Sequence, residues 1–209
     1  MLESAPLVRV RPAPKGSSCA LRSITSPGFY LRRCCCRLSR TAPARIVNVA
    51  SAGQQPIDFD DVMLTRSYSG TRAYCQSKLA QIMFTVDLAA SLKGTGVTVT
   101  CLHPATYMDT SMVRRAGVRP LSTVEEGARA IPNLATSPAV EGQSGLYFNG
   151  LREAKAQAQA YDADARRRLQ ALSLELTGLS AEGMACPQPI ALSRAGFCQL
   201  RVNKTAWRG

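Results

Sequence analysis

Between residues 44 and 179 the apolar positions keep switching between strand-like and helix-like spacing. The run RIVNVAS (45–51) places Ile46, Val47 and Val49 together and ends in small residues, which predicts a short buried strand. IDFDDVMLTRSYSGTR (57–72) has no period and is rich in turn formers, so it reads as loop. From Ala73 onward Leu79, Ile82, Met83, Val86 and Ala90 recur at helical spacing to about Leu92, where Gly94 and Gly96 stop the helix. VTVTCLHP (97–104) is a second β-branched strand, closed by Pro104. STVEEGARAIPNLAT (122–136) opens on the capping-box pair Ser122 and Glu125 and predicts a helix with Pro132 inside it. GLYFNG (145–150) predicts a short strand, and YDADARRRLQALSLELTGL (161–179) a helix with Leu169, Leu172 and Leu176 on one stripe. Strands separated by helices, joined by right-handed crossovers, imply an α/β fold on a parallel sheet. Three such strands alone would leave one sheet face and an apolar edge uncovered.

The flanks break this pattern. Residues 1–43 contain five prolines, scattered Arg and Ser, and no apolar period; residues 180–209 are equally irregular. Of the formal charge of +12, +8 belongs to residues 1–45 and +3 to residues 178–209, so the central body is close to neutral. Its charge gives no reason to expect a nucleic-acid partner, and the basic leader lacks the interleaved aromatics of a single-strand binder. Cysteines divide the same way: Cys19, Cys34, Cys35, Cys36, Cys186 and Cys198 lie in the flanks, Cys75 and Cys101 in the body. Adjacent cysteines cannot all ligate one tetrahedral ion, and His103 is the only histidine, so no metal site is expected. No apolar run is long enough to span a bilayer.

One pair of residues carries candidate chemistry. In AYCQSKLAQIMF, Tyr74 and Lys78 stand four apart on one helix face. Alone the pair is a weak signal, equally read as an amphipathic helix with an exposed lysine. A phenol ionises near pH ~10 in water, and an ammonium one turn away favours its phenolate, which suits proton exchange with a carbonyl or alcohol oxygen. Ser51, at the C-terminal tip of the first strand, could hydrogen-bond the same oxygen, and ligands of open parallel sheets bind at that edge. Its plainer reading is a strand-end hydroxyl capping a turn.

RIVNVASAG, AYCQSKLA and GVTVTCLHPATYMDT, in that order, resemble the short-chain dehydrogenase/reductase family, and AYCQSKLAQIMFTVDLA is most similar to its retinol-dehydrogenase-like members. The likeness covers about residues 44–179. It implies the C-terminal half of a Rossmann-like doubly wound parallel sheet, with irregular flanks, and an oxidoreductase that takes NAD or NADP and a small carbonyl or alcohol substrate. On that likeness Ser51 orients the substrate oxygen, Tyr74 is the general acid/base, and Lys78 favours the phenolate and holds the nicotinamide ribose. The loop from Pro104 through Ala105 and Thr106 to Thr110 would pack on the nicotinamide, with Ala105 where the family usually has glycine. His103 reads as a loop-packing residue. The family's first half, with a glycine-rich turn over the pyrophosphate, a ribose reader and a catalytic Asn, has no counterpart here. GTGV (94–97) precedes a strand and cannot replace that turn. The alternative is therefore a non-catalytic remnant or binding module that keeps the family's C-terminal half.

The replacement has a coding explanation. Arg22-Ser23-Ile24-Thr25-Ser26-Pro27 can be encoded CGG-TCA-ATC-ACC-TCG-CCN, which read from each last base spells Val-Asn-His-Leu-Ala. Three TGC codons for Cys34, Cys35 and Cys36 between Arg33 and Arg37 become Leu-Leu-Leu-Pro in that frame. Together they approach the family's helix with the catalytic Asn, so residues up to about 40 read as out-of-frame translation. The competing reading is a mitochondrial transit peptide, Arg-rich and acid-poor. Cytoplasmic location is the default expectation, and a homo-oligomer is compatible with the exposed sheet edge.

Overall fold

The structure, a computed structural model, describes residues 43–177. The cysteine run Cys34–Cys36, the proposed leader apart from Pro43, and the 180–209 tail lie outside those residues.

Four strands form one sheet in the order β1-β2-β3-β4. Strand β1 (Ala44–Val49) runs parallel to β2 (Val97–His103), in register from Ala44 opposite Val97 to Val49 opposite Leu102. Strand β3 (Tyr147–Asn149) continues the parallel set, and β4 (Arg152–Ala154) folds back antiparallel to β3. The α/β, Rossmann-like reading of the sequence holds, with β4 as an unforeseen return strand. β4 is too short and too charged to show a period, and Gly150 makes its turn with a φ of 59°.

Helix α1 (Gly70–Ser91) connects β1 to β2. It starts three residues before the apolar period because Ser69 caps it, accepting the Arg72 N–H. It ends where expected: the Leu92 N–H still reaches the Leu88 carbonyl, and Gly94 and Gly96 then take φ of 82° and 78°. A five-residue helix α2 (Ser111–Arg115), too short for a periodic signal, precedes α3 (Val124–Thr136). The capping box of α3 is Thr123 with Glu126, one residue later than Ser122 and Glu125. Both pairs share the Ser/Thr-x-x-Glu spacing, and Ser122 is occupied instead by a bond from its hydroxyl to the Thr106 carbonyl. Helix α4 (Ala163–Thr177) closes the described body.

The expected uncovered face is not there. Side chains of adjacent residues on a strand point to opposite faces, and both faces of this sheet carry a helix. Cys101 and Tyr147 pack with Leu79, Ile82 and Met83 of α1, whereas Leu102 and Phe148 pack with Ala130 and Leu134 of α3. The other correction concerns β1. Expected to be buried, it is half-buried throughout, with Val49 41% exposed, because it is the edge of the described sheet.

Helix α1 is also buried over more of its circumference than its apolar stripe predicted. Ile57, Ala160, Ala165 and Leu169 join its core cluster from outside the sheet. Its buried polar groups are satisfied: Gln76 donates to the Pro56 carbonyl at 2.9 Å, and Thr85 accepts from Asn48 at 2.8 Å and donates to the Gln81 carbonyl.

The long β1–α1 loop is held by one carboxylate. Asp61, 7% exposed, accepts from the backbone N–H groups of Arg66 and Thr65 and from the Thr65 hydroxyl, at 2.7–2.9 Å. These bonds, the Arg66 N–H foremost, hold its carboxyl at about 2, below the usual 3.8. They close the turn that drives Leu64 into the core at a φ of 55°, a left-handed conformation that costs a leucine about 1–2 kcal/mol. A depressed carboxyl stabilises the fold above its unfolded pKa and loses that contribution as pH falls through the folded value. Asp61→Asn is therefore expected to lower the urea midpoint at neutral pH, with the gap from wild type closing between pH 3.8 and about 2. A gap that stays constant through that window would show that the carboxylate's charge is not what holds the loop.

Candidate active site

Strands β1 and β2 end together, and the candidate residues gather at that edge. The Ala50 N–H still donates to the Leu102 carbonyl at 2.8 Å; beyond it the chain leaves the sheet at Ser51, and beyond His103 at Pro104. Helix α1 runs back beneath β1, so its first turns bring Tyr74 and Lys78 to the same edge.

Gly53 shows how close the parts are. A Cβ placed on Gly53 would lie 3.6 Å from both Ser51 Oγ and Tyr74 Cε1, and 3.4 Å from Cys75 Sγ. Ser51 is buried, while Tyr74 is 37% exposed. Lys78 sits one turn on, its Nζ 5.7 Å from the Tyr74 ring centroid. That ammonium donates to the Val49 carbonyl at 3.3 Å and to Gln81 Oε1 at 3.1 Å, so it is tethered to the strand end. Burial lowers the Lys78 pKa from its ordinary value. Ser51, Tyr74 and Lys78 are thus brought together.

The loop from Pro104 to Thr110 leaves the neighbouring strand end. Pro104 is buried, Ala105 half-buried and Thr106 exposed. Thr106 Oγ1 lies 3.1 Å from His103 Nε2, and burial lowers the His103 pKa, so this histidine is packed into the base of the loop. The Thr110 hydroxyl caps α2 by accepting the Val113 N–H. The loop is pinned to the start of α3 by the Leu121 N–H on the Tyr107 carbonyl and the Asp109 N–H on the Ser122 carbonyl. At Gly127 the Met108 sulfur fills the space a Cβ would need.

Two residues at this site gave no sequence signal. Tyr147 on β3 and Gln54 in the β1–α1 loop both donate to the Ser51 carbonyl, at 3.2 and 2.9 Å. They act through a backbone atom, so no spacing rule marks them. Among the described residues no group of three or more His, Cys, Asp or Glu could hold a metal ion, and the Cys101 thiol is pushed up to about 12 by burial.

Comparison with known proteins gives the context. No protein-family profile matches the chain. Retinol dehydrogenase 13 of Homo sapiens is 36% identical over 163 residues, covering 69% of this chain and 49% of that protein. Retinol dehydrogenase 14 of Homo sapiens is 39% identical over 157 residues, covering 68% and 46%. A solved structure of an uncharacterised protein from Mycobacterium paratuberculosis superposes with a TM-score of 0.51 at 26% identity, covering 65% of this chain and 50% of that one. The chain spans about half the length of the curated relatives it matches. Alike to them in sequence and Rossmann-like in fold, the chain belongs with the retinol-dehydrogenase-like members of the short-chain dehydrogenase/reductase family.

Proposed function

We propose that this chain carries the proton-transfer site of an NAD(P)-dependent oxidoreductase that interconverts a carbonyl and an alcohol. The observation that carries the reading is the convergence of Ser51, Tyr74 and Lys78 at the shared end of two parallel strands. In the reducing direction Tyr74 gives its phenolic proton to the carbonyl oxygen as negative charge develops there. Ser51 donates a hydrogen bond to the same oxygen and fixes its direction. Lys78, tethered to the Val49 carbonyl, places a positive charge beside the ring, where it stabilises the phenolate left behind until solvent reprotonates it. In the oxidising direction the phenolate takes the alcohol proton. A bound nicotinamide supplies or accepts the hydride at the substrate carbon.

The described residues fit one end of such a cofactor. Val49 is an exposed apolar side chain at the sheet edge, Lys78 offers an ammonium for ribose hydroxyls, and the loop of Pro104, Ala105, Thr106 and Thr110 forms the adjoining rim. They do not fit the other end. Among them, no glycine-rich turn joins a strand directly to a helix N-terminus, the usual cradle for a diphosphate. The relatives' names suggest a retinoid substrate, and the exposed Tyr107, Met112 and Leu121 on the segment after β2 would suit an apolar molecule.

That missing cradle favours a second reading, a half-domain that keeps the site's framework without catalysing. Calorimetric titration of the full chain with NADPH separates the two. The diphosphate contacts that orient the ring are worth several kcal/mol, so this chain alone is expected to bind NADPH no tighter than about 1 mM. Saturable micromolar binding would sink the half-domain reading. The division into a leader (1–43), dehydrogenase part (44–179) and tail (180–209) belongs to the same proposal. Reading the coding DNA upstream of Arg45 in all three frames tests it: blank frames make the basic leader and the half-domain genuine, and a glycine-rich Rossmann half in another frame overturns both in favour of a full-length dehydrogenase.

A further inference from the structure

A serine hydroxyl helps a substrate oxygen only when its proton, not its lone pair, faces that oxygen. Here the Gly53 N–H donates to Ser51 Oγ at 3.1 Å, which occupies one acceptor position and leaves the hydroxyl proton free to point outward. The bond spans only two residues, so it depends on the local path of the chain. The Ser51 carbonyl anchors that path. It accepts the Tyr147 hydroxyl at 3.2 Å and Gln54 Nε2 at 2.9 Å, from a neighbouring strand and from the loop itself. Gln54 is braced in turn, because its Oε1 accepts the Gln157 N–H at 2.7 Å.

Tyr147 is 5% exposed, in a position where phenylalanine would fill the same volume. Its hydroxyl has no part in the proton transfer proposed above. Placing a hydroxyl in the core is costly unless it is bonded, and this one is bonded to the backbone of a candidate catalytic residue. Burial pushes that hydroxyl up to about 12, so it stays a donor through the neutral range.

We infer that Tyr147, with Gln54, is a positioning residue: by clamping the Ser51 carbonyl it keeps the Gly53 N–H on Ser51 Oγ and thereby aims the serine proton at the substrate. The inference rests on the proposed role of Ser51.

The test uses the full chain as wild type, Tyr147→Phe, Gln54→Leu and Ser51→Ala, with amide exchange read residue by residue and turnover read as NADPH oxidation with retinaldehyde. Either clamp variant is expected to speed exchange of the Gly53 amide about five- to tenfold, the size of one lost hydrogen bond. The amides of Val99 and Cys101, bonded to Ser144 and Leu146 in the sheet, should not change. Where turnover is measurable, Tyr147→Phe should lower kcat and leave KM unchanged. A merely structural tyrosine would raise exchange at Val99, Cys101 and Gly53 together, and that result overturns the inference, as does unchanged Gly53 exchange in both variants. The exchange measurement needs no turnover. If Gly53 responds as expected while Ser51→Ala retains wild-type turnover, the clamp stands and the catalytic role of Ser51 falls.

Discussion

Tyr74→Phe, made in a version of the protein that turns over, is expected to lower kcat by about 10²–10⁴-fold, the usual worth of a positioned general acid. Affinity for NADPH should stay within about twofold, since the change removes one oxygen and leaves the ring that borders Gly53 and the Lys78 ammonium. The prediction is sharp because the geometry offers no understudy. The Ser51 hydroxyl can donate a hydrogen bond but, as an aliphatic alcohol, is a far weaker acid than a phenol, and the Cys75 thiol, whose pKa burial raises, is a poor proton donor to an oxygen. His103 is buried against Thr106 at the base of the next loop. A Phe variant that keeps more than about a tenth of wild-type kcat would remove Tyr74 from the chemistry. Lys78→Ala should behave differently. It removes the charge beside the phenol and also the tether to Val49, so both kcat and cofactor affinity should fall.

The residues that could be read in advance are those whose reasons are local. Val99 and Cys101 in β2 and the Leu79–Ile82–Met83 stripe of α1 obey strand and helix patterns, and each is buried in the core as expected. Gly94 and Gly96 stop α1 because only glycine takes a φ near 80° without cost. Tyr74 and Lys78 share a face by helix geometry alone. What could not be read depends on partners far along the chain. β1 looked like a buried strand because its composition is that of one, and only the strand order reveals it as an edge of the described sheet. The role of α3 was hidden for the same reason: its apolar positions do not say which face of the sheet they meet. Gln54 and Tyr147 meet at a backbone carbonyl across 93 positions of sequence, as Tyr147 to Gln54, and no motif encodes a contact of that kind.

The largest effect on stability is expected from Leu79→Ala. Leu79 is fully buried in α1, one residue after Lys78, and belongs to the core cluster that also holds Ala50 next to Ser51, Ile82 and Met83 of its own helix, Cys101 of β2, Tyr147 of β3 and Leu169 of α4. That cluster ties α1 to β2, β3, α4 and the end of β1. Deleting the branched end of Leu79 removes the transfer free energy of those carbons and leaves a cavity that four separate elements would have to shift to fill, at a cost of about 2–5 kcal/mol. Domains of this size are stable by only about 5–15 kcal/mol. Leu79→Ala is thus expected to lose a large part of the body's stability, visible as a urea midpoint displaced to low denaturant with the slope of the transition unchanged. Leu121→Ala, at a position 68% exposed, should change the midpoint by less than about 0.5 kcal/mol equivalent and serves as the control. If Leu79→Ala unfolds no more easily than Leu121→Ala, the packing of α1 on the sheet is not what holds the body together. The shared anchoring of Ser51, Tyr74 and Tyr147 would then lose its physical basis, because all three reach the site through that contact.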